Sequence, residues 1–168
     1  MKKIFCFIAG LGLILGLIVH IVSLSGIYIG NKIPFVLSLN IAILIVWIPA
    51  MLELTKDPEL KQLRLQGNKN PLEFLRIIFK NTPKPMVIMI LVFFIYMGIN
   101  FFLFLNFSGG GVPEIMNGKY VIQNHGSIIK ELSEIEYLKM QANEIRGFSG
   151  HWMAFYSIAM GILWPSKE

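Results

Sequence analysis

Cysteine is nearly absent from this chain. Cys6 is the only one in 168 residues, so no intrachain disulfide can form, and the residue reads as a small apolar side chain in a helix. Charge is almost as scarce: Asp, Glu, Lys and Arg make up 15% of the sequence, where a soluble domain carries about a quarter. Several chemical signatures are missing too. There is no His-x-x-x-His, no His-Glu-x-x-His and no Cys–His cluster, and no metal site is expected. Gly109-Gly110-Gly111 lacks both the strand-to-helix setting and the Lys-Ser/Thr pair of a phosphate loop. No catalytic residue is assigned, and no cofactor is specified.

What is present is apolar. Hydrophobic residues fill 55% of the chain, and the mean hydropathy is +0.64. They gather in four runs, Ile4–Ile29, Ile33–Leu54, Met86–Phe107 and Gly147–Trp164. A helix crossing a bilayer needs roughly 20 mainly apolar residues, which the first three runs satisfy and the fourth approaches. The expected fold is therefore all-α and integral to a membrane: a four-helix transmembrane bundle forming one membrane domain over residues 1–168. Met1-Lys2-Lys3 before run one resembles a signal peptide. The run is longer than an h-region of about 7–15 residues and no A-x-A-like site follows it, so its retention as a helix is expected.

The net charge of +5 is explained by position rather than by a nucleic-acid partner. Seven of the fifteen basic residues (Lys56, Lys61, Arg64, Lys69, Arg76, Lys80 and Lys84) lie between runs two and three. With Lys2 and Lys3 they form a positive-inside signal. It predicts both termini and segment 55–85 in the cytoplasm, and segment 108–146 outside.

Each connecting segment carries local signals. Asp57-Pro58-Glu59 and Asn70-Pro71-Leu72-Glu73 both read as a helix N-cap followed by a first-position proline. The second opens a short helix with Leu72, Leu75, Ile78 and Phe79 on one side, expected to lie on the inner membrane surface. Ser108–Pro113 reads as a flexible exit from run three. Lys119–Gln123 and Ser127–Lys130 flank an Asn/Gly turn and predict a β-hairpin. Ser133-Glu134-Ile135-Glu136 is a capping box that starts an amphipathic cap helix through about Arg146. Run four follows, with Trp152 and Tyr156 expected as an interfacial aromatic anchor. Gly12-x-x-x-Gly16 in run one, and Gly150, Ala154, Ser157 and Gly161 in run four, make the terminal helices candidates to pack on each other.

The stretch GKYVIQNHGSIIKELSEIEY…GFSGHWMAFY, within Gly118–Tyr156, resembles a segment of uncharacterised small bacterial multi-helix membrane proteins. The resemblance implies a bacterial inner-membrane location and carries no activity.

Polar residues inside apolar helices are costly and mark sites worth testing. His20, Asn40 and Asn100 fall roughly 9–14 Å below the outer ends of their runs at about 1.5 Å per residue. With His125 and His151 they collect toward the outer half. The favoured expectation is a non-catalytic accessory or regulatory protein. Its extracytoplasmic cap would meet a partner or ligand through His125, Glu136, Tyr137, His151, Trp152 and Tyr156. One alternative is a cofactor-, quinone- or lipid-binding protein using an outer-leaflet His/Asn pocket. The other is a homo-oligomeric pore or transporter component, the pore lined by the Asn40 and Asn100 faces. The expected partners are the lipid bilayer and a membrane protein or a second copy, not nucleic acid.

Overall fold

The computed structural model describes residues 1–67 and 70–165; Lys69, counted above among the basic residues, lies outside them. The chain is mostly helical, with six α-helices and three strands among the described residues: α1 (Lys2–Leu24), α2 (Ser38–Lys56), α3 (Pro58–Leu65), α4 (Pro71–Ile78), α5 (Lys84–Ser108), β1 (Val112–Met116), β2 (Lys119–Asn124), β3 (Ser127–Glu131) and α6 (Glu134–Ile162). Three of them, α1, α2 and α5, are long and apolar enough to cross a membrane. Only 17% and 11% of the apolar windows of α2 and α5 are buried, so most of this greasy surface faces away from the protein. A soluble monomer rarely shows contiguous apolar surface on that scale.

The helix boundaries follow local chemistry. α1 stops at Leu24, short of the expected Ile29, because Ser25 and Gly26 close it. The Ser25 N–H donates to the Ile21 carbonyl, the Gly26 N–H donates to that of Ser23, and Gly26 adopts φ +73°. A single 3-10 turn at Ile29–Asn31 and tight turns around Pro34 then delay α2 to Ser38, five residues later than the run suggests. The two proline-led starts are as expected. The Asp57 carboxylate accepts from the N–H groups of Glu59 and Leu60 at 3.0 and 3.2 Å, and Asn70 accepts from that of Leu72 at 3.0 Å. Ile77 of α4 packs on Leu60 and Leu63 of α3, so α4 is tied to its neighbour rather than lying alone.

Two expectations need correction. The cap is a three-stranded antiparallel sheet in the order β1-β2-β3, not a hairpin, since Val112–Met116 pairs with Lys119–Gln123. Asn117 (φ +52°) and Gly118 (φ +76°) supply the turn, and His125 (φ +48°) and Gly126 (φ +82°) supply the next. The cap helix and run four are also not separate elements. The capping box at Ser133 and Glu136 starts one 29-residue helix that continues to Ile162. Gly147 and Gly150 do not break it because each meets a neighbour there: a Cβ at Gly147 would touch the Phe104 ring, and one at Gly150 would overlap the Asn100 amide.

α6 is the hub. It packs on α1, α5 and α2, while α1 also packs on α2. The terminal helices do meet, though by an uneven division. α1 contributes its glycines, Gly12 against the Tyr156 ring and Gly16 against Trp152 and Met153. The small residues Gly147, Gly150 and Gly161 of α6 face α5 or the end of α4, where Phe104, Asn100, Ile90 and Phe79 fill the space. Trp152 and Tyr156, expected as an interfacial anchor, are therefore fully buried. They belong to the central helix, and the Tyr156 hydroxyl donates to the Leu39 carbonyl of α2 at 2.8 Å.

Candidate functional site

Six of the buried polar side chains, His20, Ser23, Asn100, Ser108, Asn143 and Ser149, lie toward the sheet end of the bundle, while Thr82 and Ser157 lie toward the other. His20 of α1 lies one turn from its helix end, about 6 Å below it and shallower than expected. Its ring joins three helices: Nδ1 is 2.9 Å from Ser149 Oγ of α6, and Nε2 is 2.6 Å from the Tyr96 hydroxyl of α5. Ser149 donates its own proton to the Arg146 carbonyl at 3.1 Å. With the serine proton so placed, a neutral ring satisfies all three groups. His20 Nδ1–H donates to Ser149, and Tyr96 O–H donates to Nε2. The serine proton is thus engaged with the backbone rather than with the imidazole, and the arrangement works as a three-helix tie.

Asn100 sits beside this tie. Its amide donates to the carbonyls of Arg146 and Gly147 at 3.1 and 3.4 Å, while its Oδ1 is buried without a partner among the described residues. Asn100 is wholly inside the bundle and Asn40 is exposed on α2, so they do not share an exposed polar face.

His20 and His151 do not share a pocket either. Ser149, which meets His20, and His151 are two residues apart, about 200° around α6. His151 donates from Nδ1 to the Gly147 carbonyl at 2.8 Å and meets Phe101 edge-on at 6.1 Å. With Asn40 and Glu144 it lines a cavity of about 350 Å³ that also takes in Phe104, Phe148 and Phe155.

The cap residues are occupied with structure. His125 is exposed at the tip of its turn. Tyr137 stacks on Tyr120 with ring centres 4.8 Å apart and accepts from Gln141 at 2.9 Å. Glu136 accepts from the Ser133 N–H at 2.8 Å and from Lys130 at 2.9 Å. The backbone N–H of Ser133, then Lys130, then the Ser133 hydroxyl pull its carboxyl down to about 2 from an ordinary 4.5. A depressed carboxyl stabilises the folded cap above pH 4.5, and that contribution fades as pH falls toward 2. Amide protection at the start of α6, relative to the intrinsic exchange rate at each pH, is accordingly expected to fall over this acid range in the native chain. In Glu136→Ala, which has no acceptor for the Ser133 N–H, that protection should already be low at neutral pH and change little. Identical acid profiles for the two would remove Glu136 from the capping role.

A cleft between two of the long helices was not visible in the sequence. α5 meets the bundle mainly through α6, and a gap opens between α5 and α2. Two separate cavities lie along it over one stripe of α6 in which steps of four and three alternate: Glu144, Phe148, His151 and Phe155 under one, Ile158 and Ile162 under the other. The half nearer the chain termini is a cavity of about 470 Å³, walled by Trp47 and Met51 of α2 and by Ile90, Leu91 and Phe94 of α5. Phe74 and Leu75 of α4 close its end, where Thr55 and Arg64 supply the polar groups. Trp47 is anchored by its N–H to the Phe155 carbonyl at 3.1 Å and stacks edge-on against Phe155. Arg64 is exposed and makes no ion pair among the described residues.

Among the described residues no three His, Cys, Asp or Glu side chains come together as a metal site. No family model, curated protein or solved structure matches the chain.

Proposed function

We propose that this chain is a multi-pass protein of the bacterial inner membrane, non-catalytic and of accessory type, that holds a lipid in the cleft between α2 and α5. In this reading α6 is the fourth membrane-spanning helix, both termini with α3 and α4 are cytoplasmic, and the sheet is outside. Basic residues at the terminal end support that orientation.

The cleft lining carries the argument. The α6 stripe from Glu144 to Ile162 spans 18 residue steps, about 27 Å, close to the roughly 30 Å of a hydrocarbon core. A partner helix docks best where small residues allow close approach. This cleft is lined instead by Trp47, Phe94, Phe101, Phe104, Phe148 and Phe155, and the glycines of α6 are used against α5. Flexible acyl chains fit an aromatic, uneven groove. Arg64 at the cytoplasmic mouth favours an anionic headgroup, and Asn40, Glu144 and His151 give the other end polar contacts. A second reading, a protein partner at the cap, is favoured by the exposed Val112, Ile115, Ile128, Ile129 and Ile135.

Native mass spectrometry of the chain with phosphatidylglycerol and phosphatidylcholine tests the lipid reading. Preference for the anionic lipid is expected, falling about fivefold in Arg64→Gln, since a basic residue near a membrane surface contributes about 1 kcal/mol. Equal binding of both lipids, unchanged by the substitution, would defeat it.

A further inference from the structure

A second pocket lies on the other side of α5, and its chemistry is different. Where α1 and α5 end against α6, a cavity of about 250 Å³ is lined by Ser23, Ser25, Lys139, Asn143 and Arg146. Lys139, Asn143 and Arg146 stand at positions i, i+4 and i+7 of α6, so one helix face delivers all three. No Asp or Glu lines the cavity, and among the described residues neither cation forms an ion pair. Nor does the interior compensate Arg146. Its Nε and Nη2 are closed off from the pocket and have no acceptor among the described residues, so the guanidinium charge is not compensated from inside. The hydroxyls of Ser23 and Ser25 are turned to the Val19 and Ile21 carbonyls, so they bring no charge. The ends of α1 and α5 offer only the partial negative charge of helix C-termini, which does not balance two full cations.

We infer that this pocket is an anion site that takes a phosphate group at the extracytoplasmic face, held between Lys139 and Arg146. Lys139 is exposed and meets the anion first; Arg146 supplies the deeper charge. The site is separate from the α2–α5 cleft and stands whether or not that cleft holds lipid. A phosphate at this level comes either from an anionic phospholipid of the outer leaflet or from solution.

The test uses the full chain carrying Arg64→Gln, so that the cleft's own headgroup contact is already weakened. Binding of phosphatidylglycerol, phosphatidylcholine and inorganic phosphate is measured by native mass spectrometry, and thermal melting monitors folding. The double substitution Lys139→Gln with Arg146→Gln is expected to lower anion occupancy about tenfold or more, as the loss of charge-assisted contacts implies. Lys139→Gln alone, on an exposed residue that does not threaten the fold, should lower it about threefold. Binding should weaken as salt is raised. Selective loss of phosphatidylglycerol identifies a lipid headgroup. Competition and a raised melting temperature with inorganic phosphate identify a soluble ligand. If neither phosphatidylglycerol nor phosphate binding responds to Lys139→Gln, the two cations serve only to balance the helix ends and the inference is wrong.

Discussion

Gly12→Leu is expected to destabilise the bundle by about 3 kcal/mol, the upper part of the range for overpacking a close contact. A glycine inside a helix normally costs stability, so replacing it should gain roughly 0.5–1 kcal/mol when space permits. Here space does not permit. A Cβ at Gly12 would already lie inside the van der Waals surface of the Tyr156 ring. That ring has little freedom to retreat, being 1% exposed and tethered by its hydroxyl to the Leu39 carbonyl. The clash therefore outweighs the propensity gain. Gly98→Ala is the internal control, because nothing lies within 4 Å of its added Cβ and it should be neutral or stabilising. Unfolding in mixed micelles reads both variants. Combined with Tyr156→Leu, Gly12→Leu should cost less than the sum of the two single changes, since they relieve one another at a shared contact. A harmless Gly12→Leu would mean that α1 does not pack on α6 at this register.

Ile158→Trp is expected to empty the α2–α5 cleft of lipid while leaving the fold intact. Ile158 is half-buried on the cleft floor, one turn below Phe155 and one above Ile162, so a larger side chain grows into the cavity rather than into packed core. Each buried methylene is worth about 0.8 kcal/mol, so displacing two from the cleft lowers retention on the order of tenfold. Ile95→Trp, on the exposed outside of α5, adds the same bulk away from the cleft and should leave retention unchanged. If both variants retain lipid equally, bound lipid is a nonspecific annulus.

How far the sequence leads depends on whether a feature is local. The apolar runs, the caps at Asp57 and Asn70, the capping box at Ser133 and the β2–β3 turn all rest on neighbours within a few residues. Each is present, apart from shifts at the ends of α1 and α2 and the merging of run four with the cap helix in α6. β1 was also legible: Asn117-Gly118 is a strong two-residue turn signal, but the glycines before it read as a flexible exit. The burial of Trp152 and Tyr156 had a compositional sign in Gly147, Ser149, Gly150, Ala154 and Ser157. A helix that rich in small and polar residues is better suited to neighbours than to lipid. The tie through His20 was beyond reach, because its partners Tyr96 and Ser149 are 76 and 129 positions away. The cleft was beyond reach for a similar reason. A gap between α2 and α5 exists only once both have packed on α6, and no stretch of sequence encodes it.

Photo-cross-linking tests the lipid-filled cleft most directly. A phosphatidylglycerol with a photoreactive acyl chain is incorporated with the full chain into nanodiscs, and the adducts are mapped by peptide mass spectrometry. Adducts concentrated at Trp47, Met51, Phe94 and Ile158, and lost in Ile158→Trp, are the expected result. Adducts spread evenly over the exposed faces of α1, α2 and α5, with the cleft residues no more marked than Ile14 or Ile95, would contradict a resident lipid.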